Sequence, residues 1–368
     1  MSPAEKPLAP EGQDKLLASV REASERALAH AGAYEVVMTL EEARYATGMA
    51  RRLGRLEESA KALSAAGIAH YFQADLVEAV IRALDAVRRS NNEPDLARAW
   101  FVASLAFLGV QAPDVAAVAA RRALEHAVKS GDDGLIGRAH SCIGFVASEE
   151  GRHEEAVLAL YTATRLAQGG ADRALYMKTL CNLARALRGG GDAQAQAGDS
   201  AAGRRSWRHS ARLLGVALLL PAPEGDVIIA KGLLGQTLLK LGAAPLAVKT
   251  LKEAAAMLGP DSVPWVAAEI LVSLARAQLA AGSATDAATT LERAALACKD
   301  PGAAQSRESC HLLNAELAGQ LSRSDKVGVF QAYARTAKHH HDNELDSARR
   351  QALTLWQRFE ASVALPQS

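Results

Sequence analysis

Aromatic side chains are scarce in this chain: Trp, Tyr and Phe make up 4% of its 368 residues, while apolar types reach 49%, mostly Ala and Leu. So low a content excludes a stacking platform for single-stranded nucleic acid, which lays successive bases on such rings. A charge field is missing too. Lys plus Arg (42) nearly cancel Asp plus Glu (41), so no global basic surface draws in nucleic acid, and any electrostatic recognition has to be local. No apolar run approaches the roughly 20 residues of a membrane-spanning helix; the most apolar stretch, Leu213 to Leu220, is far shorter. Strand-forming runs are absent. Cys142, Cys181, Cys298 and Cys310 show no CxxC pairing and read as buried small hydrophobes in a reducing compartment. Nor is there a G-x-x-x-x-G-K-[ST] loop, a G-x-S-x-G elbow or an H-E-x-x-H pair, and Gly189-Gly190-Gly191 lacks the flanking strand and helix of a phosphate loop. Neither catalysis nor a cofactor has a visible carrier.

What is present is a period. Ser104, Gly144, Ala184, Gly235, Ala275 and Ala315 are spaced 40, 40, 51, 40 and 40 apart, with Gly67 preceding the series by 37. Twelve residues after these markers stand Ala79, Ala116, Ala156, Ala247, Ala287 and Val327, and nineteen after stand Ala86, Ala123, Ala163, Ala254, Ala294 and Ala334. Only the Ala184 unit departs from the rule. Small residues at fixed offsets let paired antiparallel helices approach one another and the next pair closely, the pattern of a helical solenoid.

The clearest unit runs from Ala139 to Ala167: Ile143-Gly144 on a first helix, Gly151-Arg152-His153 at a turn, then Glu154-Glu155-Ala156 opening a second helix with Leu160 and Ala163. It resembles the tetratricopeptide repeat, and the units at Leu234-Gly235 and Leu274-Ala275 agree with it. The resemblance covers roughly residues 35–338 and implies an all-α, right-handed superhelical solenoid of about eight antiparallel helix pairs. The period of 40 exceeds the family's usual 34, so helices or connections are longer here. Gly131, Gly169 and Gly259, just past second helices, are expected as left-handed caps.

Around this array, the proline-rich residues 1–10 read as a disordered leader, 11–338 as the repeat domain, and 339–368 as a capping or linker helix. Residues 189–203, rich in Gly, Ala, Asp and Gln, are expected to form a flexible insertion, with Gly203, Trp207 and Ser210 taking the places of the usual Ala, bulky and Ala positions. In the terminal helix Leu355, Trp356, Phe359 and Val363 share an apolar stripe, which must pack on the final repeat or against a second copy as a weak homodimer. Residues 330–363 also resemble the end of the tetratricopeptide sensor regions that precede GGDEF-type diguanylate cyclase domains, with no GGDEF motif in this chain.

Helical geometry then selects a concave face on the first helices, at positions six and three before each marker and one and four after it. The candidate partner-binding residues there are Arg98, Phe101, Arg138, Phe145, Lys178, Arg185, Arg188, Gln236 and Arg276, with Asn182 positioned to bridge a peptide backbone through its amide. The middle of this face is basic and suits a protein or peptide partner with acidic residues or a free carboxylate. Chaperone-binding members of the family carry a Lys, Asn, Asn, Lys, Arg clamp of which only Asn182 matches. His339, His340 and His341 diverge by about 100° per residue on a helix and cannot share an ion, so no metal is expected. These readings converge on a non-enzymatic, cytoplasmic, bacterial peptide- or protein-binding scaffold in signalling, or on a ligand-sensing regulator whose solenoid changes pitch.

Overall fold

The computed structural model describes residues 10–364 apart from 171, 261, 301 and 302. The expected leader therefore lies outside the described residues, except Pro10, which opens the first helix. Sixteen α-helices are described, and they pair in chain order: α1 (Pro10–Gly32) with α2 (Val36–Arg52), α3 (Ala60–Phe72) with α4 (Leu76–Arg89), α5 (Glu93–Gly109) with α6 (Pro113–Ser130), and α7 (Asp133–Glu149) with α8 (His153–Gly169). The second half continues with α9 (Arg173–Gln196) and α10 (Ser200–Ala217), α11 (Glu224–Lys240) and α12 (Ala244–Ala256), α13 (Pro264–Ala280) and α14 (Ala284–Ala297), and α15 (Ala304–Gln320) and α16 (Ser324–Ala364). Each second helix packs on its own first helix and on the next one, and neighbouring first helices line one side of the array. This is the all-α, right-handed superhelical solenoid that the period implies.

The small residues sit where the helices cross. Ser104, Ala184 and Ala275 are fully buried, as are Ala79, Ala116, Ala156, Ala247 and Ala287. A methyl group placed on Gly144 would lie 2.5 Å from Leu160 Cγ, and Gly235 faces Leu251 in the same way. The tight turns from first to second helix are also periodic. Ala74, Gln111, Gly151, Gly242, Gly282 and Ser322 all take positive φ seven residues after their markers. Of the three expected caps past second helices, only Gly131 has positive φ; the left-handed residue belongs mainly to the turn inside each pair.

The Ala184 unit differs from expectation in kind. Residues 189–196 are the last turns of α9, which has 24 residues where α7 has 17. Ser210 Oγ, on the second helix, donates to the Ala184 carbonyl across 26 residues, whereas Ser104 Oγ, on the first helix, donates the other way to the Ala116 carbonyl across 12. Ser210 thus occupies the twelve-after position, and the hairpin has gained about two turns on each helix. Glycine favours helix here because the added helices nearly touch: a methyl on Gly203 would lie 2.7 Å from the Gly191 carbonyl oxygen. Trp207 Nε1 donates to Asp192 Oδ1 at 3.0 Å, and Ser206 Oγ donates to Gln194 Oε1 at 2.9 Å. A segment that looks unable to bury anything is held by its own partner helix.

The array also coils back on itself. Tyr34, in the turn between α1 and α2, hydrogen-bonds Asp226 at the start of α11, and Tyr34 and Phe72 pack on the core of α11 to α15. At the far end, α16 reaches α4. First pair to sixth is five pairs and eighth to second is six, so a superhelical turn takes about five to six pairs, and successive turns touch.

Two outcomes test this packing. Gly144→Leu should overpack the Leu160 contact and cost about 1 to 3 kcal/mol, read by urea unfolding; a variant as stable as the parent would refute the crossing. Limited proteolysis should spare residues 189–196, because their backbone is hydrogen-bonded helix and not a loop tip.

Candidate functional site

The candidate residues lie on the first helices α5, α7, α9, α11 and α13. At the entry edge stand Arg98 on α5, Arg138 on α7 and Lys178 on α9. Arg98 is engaged by Asp95 at 2.8 Å. Arg138 is half-buried and makes no hydrogen bond or ion pair among the described residues; burial pulls its guanidinium below the ordinary value, while Asp172 and Asp132 act in the opposite sense. These two aspartates cap α9 and α7 through Leu175 N and Leu135 N, so the same turn that starts each helix sets a carboxylate near Arg138. A cleft of about 340 Å³ opens among Arg98, Asp132, Arg138, Asp172 and Leu175.

Further along the helices, Asn182 is half-buried with no hydrogen bond to the protein among the described residues. Arg185, one turn on, is exposed and equally unpaired, as is Arg276 on α13. Phe101 and Phe145 stand half-buried on α5 and α7. Arg188 is committed: it donates to Gln236 Oε1, whose amide donates in turn to Glu269 Oε1 at 2.8 Å and Ser273 Oγ at 3.0 Å. The chain of bonds runs across α9, α11 and α13 and holds these helices in register. Cys142 and Cys181 behind this face are buried, and burial pushes both thiols up to about 12, which keeps them protonated and unreactive near neutrality.

Lys178 is the residue whose place the sequence misjudged. Its ammonium is folded into an internal contact between superhelical turns, donating to the Gly32 carbonyl at 2.7 Å, lying 3.5 Å from Asp226 Oδ2 and 5.1 Å from the Tyr34 ring centroid. Tyr34 OH donates to Asp226 Oδ1 at 2.9 Å. The Asp226 side chain is only 3% exposed and its Oδ2 lacks a hydrogen bond, so the Lys178 charge is what faces it. Burial pushes the Asp226 carboxyl up, against Lys178 and Tyr34, and pulls Lys178 down. A methyl on Gly225 would run into the Tyr34 ring, so the bare backbone there is what lets the ring lie flat. Tyr34 holds the positive-φ turn position of the first pair, 40 residues before Ala74, but Asp226 falls on no repeat position, and no local signal joins residues 192 apart.

The terminal stripe is placed on neither of its expected surfaces. Trp356 and Phe359 pack on Trp100 and Phe107 of α5, not on the last repeat. Leu355 is half-buried in the same cluster. Val363 is 64% exposed and takes no part. Among the described residues no helix is long and apolar enough to cross a membrane, and no group of three metal-ligating side chains converges.

No protein-family model matches the chain, and no curated protein does. Solved structures do resemble it. The Rap protein complexed with Competence and Sporulation Factor is similar over 92% of this chain and 100% of its own, at 14% identity and a TM-score of 0.57. NprR in complex with its cognate peptide NprX is similar over 93% of this chain and 98% of its own, at 10% identity and a TM-score of 0.53. A tetratricopeptide repeat protein from Parabacteroides merdae is similar over 81% and 99%, at 13% identity and a TM-score of 0.47. At such identities the shared property is the fold, a tetratricopeptide-like helical repeat.

The inter-turn contact generates a test of its own. Tyr34→Phe leaves Asp226 Oδ1 without its donor and should cost about 1 to 3 kcal/mol. Asp226→Asn removes a titration. Because burial raises the native carboxyl above its unfolded value, the parent should gain stability relative to Asp226→Asn as pH falls toward the ordinary carboxylate range, and lose that gain as pH rises through the native value. Urea melts of both proteins from about pH 7 to about pH 4 read the difference.

Proposed function

We propose that the chain is a non-enzymatic regulator that takes an extended peptide, or a protein segment in that conformation, on the inner face of its superhelix. One observation carries this reading. Asn182 and Arg185 on α9, with Arg138 on neighbouring α7, present amide and guanidinium groups that no protein group satisfies among the described residues, beside the half-buried rings of Phe101 and Phe145. Unpaired donors of this kind, set on rigid helices, suit a main chain bridged by Asn182 and an acidic side chain or terminal carboxylate held by arginine. The likeness to NprR, whose structure holds its cognate peptide, and to Rap, complexed with Competence and Sporulation Factor, supports the same assignment.

A second reading, in which the solenoid changes pitch on binding, is favoured by the way the turns touch through Tyr34, Phe72 and α16, since contacts between turns are what a change of pitch has to break. A cytoplasmic, bacterial signalling role belongs to the same proposal. The sensor role suggested by the resemblance to diguanylate cyclase regions, and a dimer through the terminal helix, gain no support from a Trp356 and Phe359 that are spent inside the chain.

The test is direct. Peptides selected from a random library on the intact chain should be enriched in acidic residues or need a free carboxylate. Arg138→Ala, Asn182→Ala and Arg185→Glu should each weaken them about tenfold by fluorescence anisotropy, the effect of one hot-spot contact. Arg121→Glu, on the exposed side of α6, is the control. Arg122 is unsuitable, because it is bound to Glu360. Equal losses at inner-face and control positions would leave only non-specific attraction and defeat the reading.

A further inference from the structure

The longest helix of the chain is docked at two separate places. α16 has 41 residues, about 60 Å of helix. Its first third belongs to the last repeat, where Ala334 is buried and Tyr333 meets His311. Its last third lies against α4 and α5, with Ala352 fully buried and Phe359 1% exposed. Between these docks, residues 338–346 are exposed or half-buried, and the side-chain hydrogen bond of this stretch, Asn343 to His339, stays within the helix. The distal dock therefore stands on its own contacts, with no packed segment tying it to the proximal one.

Those contacts are chemically specific. Trp356 meets Trp100 edge-on at 6.1 Å between centroids and Phe107 at 5.6 Å, and Phe359 meets Trp100 at 5.7 Å. The Arg122 guanidinium, from α6, lies 4.7 Å from the Trp100 ring centroid and 5.3 Å from that of Trp356, and binds Glu360 at 2.9 Å. Arg88, from α4, lies over Phe359 at 5.2 Å. Two arginines and two aromatic rings thus line a furrow over α5, and the helix in it offers an aromatic pair three residues apart followed by a carboxylate. Trp100 and Phe107 are not inner-face positions, so this furrow is distinct from the peptide surface.

We propose that the furrow formed by α4, α5 and α6 is a second binding site, for an amphipathic helix with an aromatic pair at i and i+3 and an acid at i+4, and that the chain's own residues 348–360 are its resident, displaceable ligand. Charge complementarity selects the partner: a helix with a basic residue at the last position would face Arg122, and one without aromatic groups would leave Trp100, Phe107 and both guanidinium stacks uncovered. Displacement is feasible because the resident is held on one face only and is not tied down by the exposed stretch that precedes it. Ala352 and Phe359 are its fully buried side chains, and local units of this size open without global unfolding. The tether supplies an effective concentration on the order of millimolar, which sets what an incoming helix has to exceed. The inference does not depend on the inner face binding a peptide.

A labelled synthetic peptide of residues 342–364 is the probe. The intact chain carrying Trp356→Glu and Phe359→Glu, with its furrow vacated, should bind the peptide saturably, and at least about tenfold more tightly than the parent, whose furrow is filled. Adding Arg122→Glu to the vacated chain should abolish that binding. No binding by a vacated chain of native helicity, or equal binding by the parent, overturns the proposal. Hydrogen exchange on the unmutated chain provides a reading that needs no variant: amides of 348–360 should exchange as a unit, faster than those of 327–337, and faster still with excess peptide. Exchange as slow as that of α5, unmoved by peptide, overturns it as well. If the parent sediments as a concentration-dependent dimer that the peptide dissolves, the occupant is the α16 of a second copy and the partner-protein assignment falls.

Discussion

The structure depends on how closely two helices can approach. Where Gly144 faces Leu160 and Gly235 faces Leu251, not even a methyl group fits, and fully buried Ser104, Ala184 and Ala275 hold the equivalent position in other pairs. Each pair so formed has two apolar sides, one for the pair before and one for the pair after, and it cannot bury them alone. Stacking is therefore obligatory, and the inner face is a by-product of it: first helices line one side because second helices take up the other. The residues available to a ligand are those the stacking does not consume.

An elongated array normally has only nearest-neighbour contacts. This one adds contacts of much longer range, with polar and aromatic groups prominent among them. Tyr34, Lys178 and Asp226 join the first pair to the fifth and sixth, and the distal part of α16 joins the eighth pair to the second and third. In the first of these, desolvation of Asp226 and Lys178 offsets much of their attraction. Such a contact gives geometry more than stability. It sets where the turns meet, and therefore how wide the inner face stands open.

The division between committed and free side chains follows from the same geometry. Arg98 pairs with Asp95 one turn earlier on its own helix and Arg188 reaches across to Gln236 on α11, while Arg138, Arg185 and Arg276 have no such partner among the described residues. Position in the repeat brought all of them to one face. It says nothing about which are satisfied, because satisfaction depends on a neighbouring side chain, on the same helix or the next, and that neighbour does not follow the period.

The sequence by itself determined the all-α solenoid, the pairing of helices and the side that the first helices present, since these follow from small residues recurring at 40 and from 3.6-residue geometry. Its composition misled at residues 189–196, where glycine content suggests a loop; the long hairpin with Gly191 against Gly203 makes close helix packing the better outcome. Tertiary structure alone decided that Lys178 is internal, that Tyr34 reaches Asp226, and that Trp356 and Phe359 rest on α5. Each of these joins residues more than about 140 positions apart, through the accumulated rotation of several pairs. A local pattern specifies each step of that rotation, but only the summed coil brings the distant side chains together.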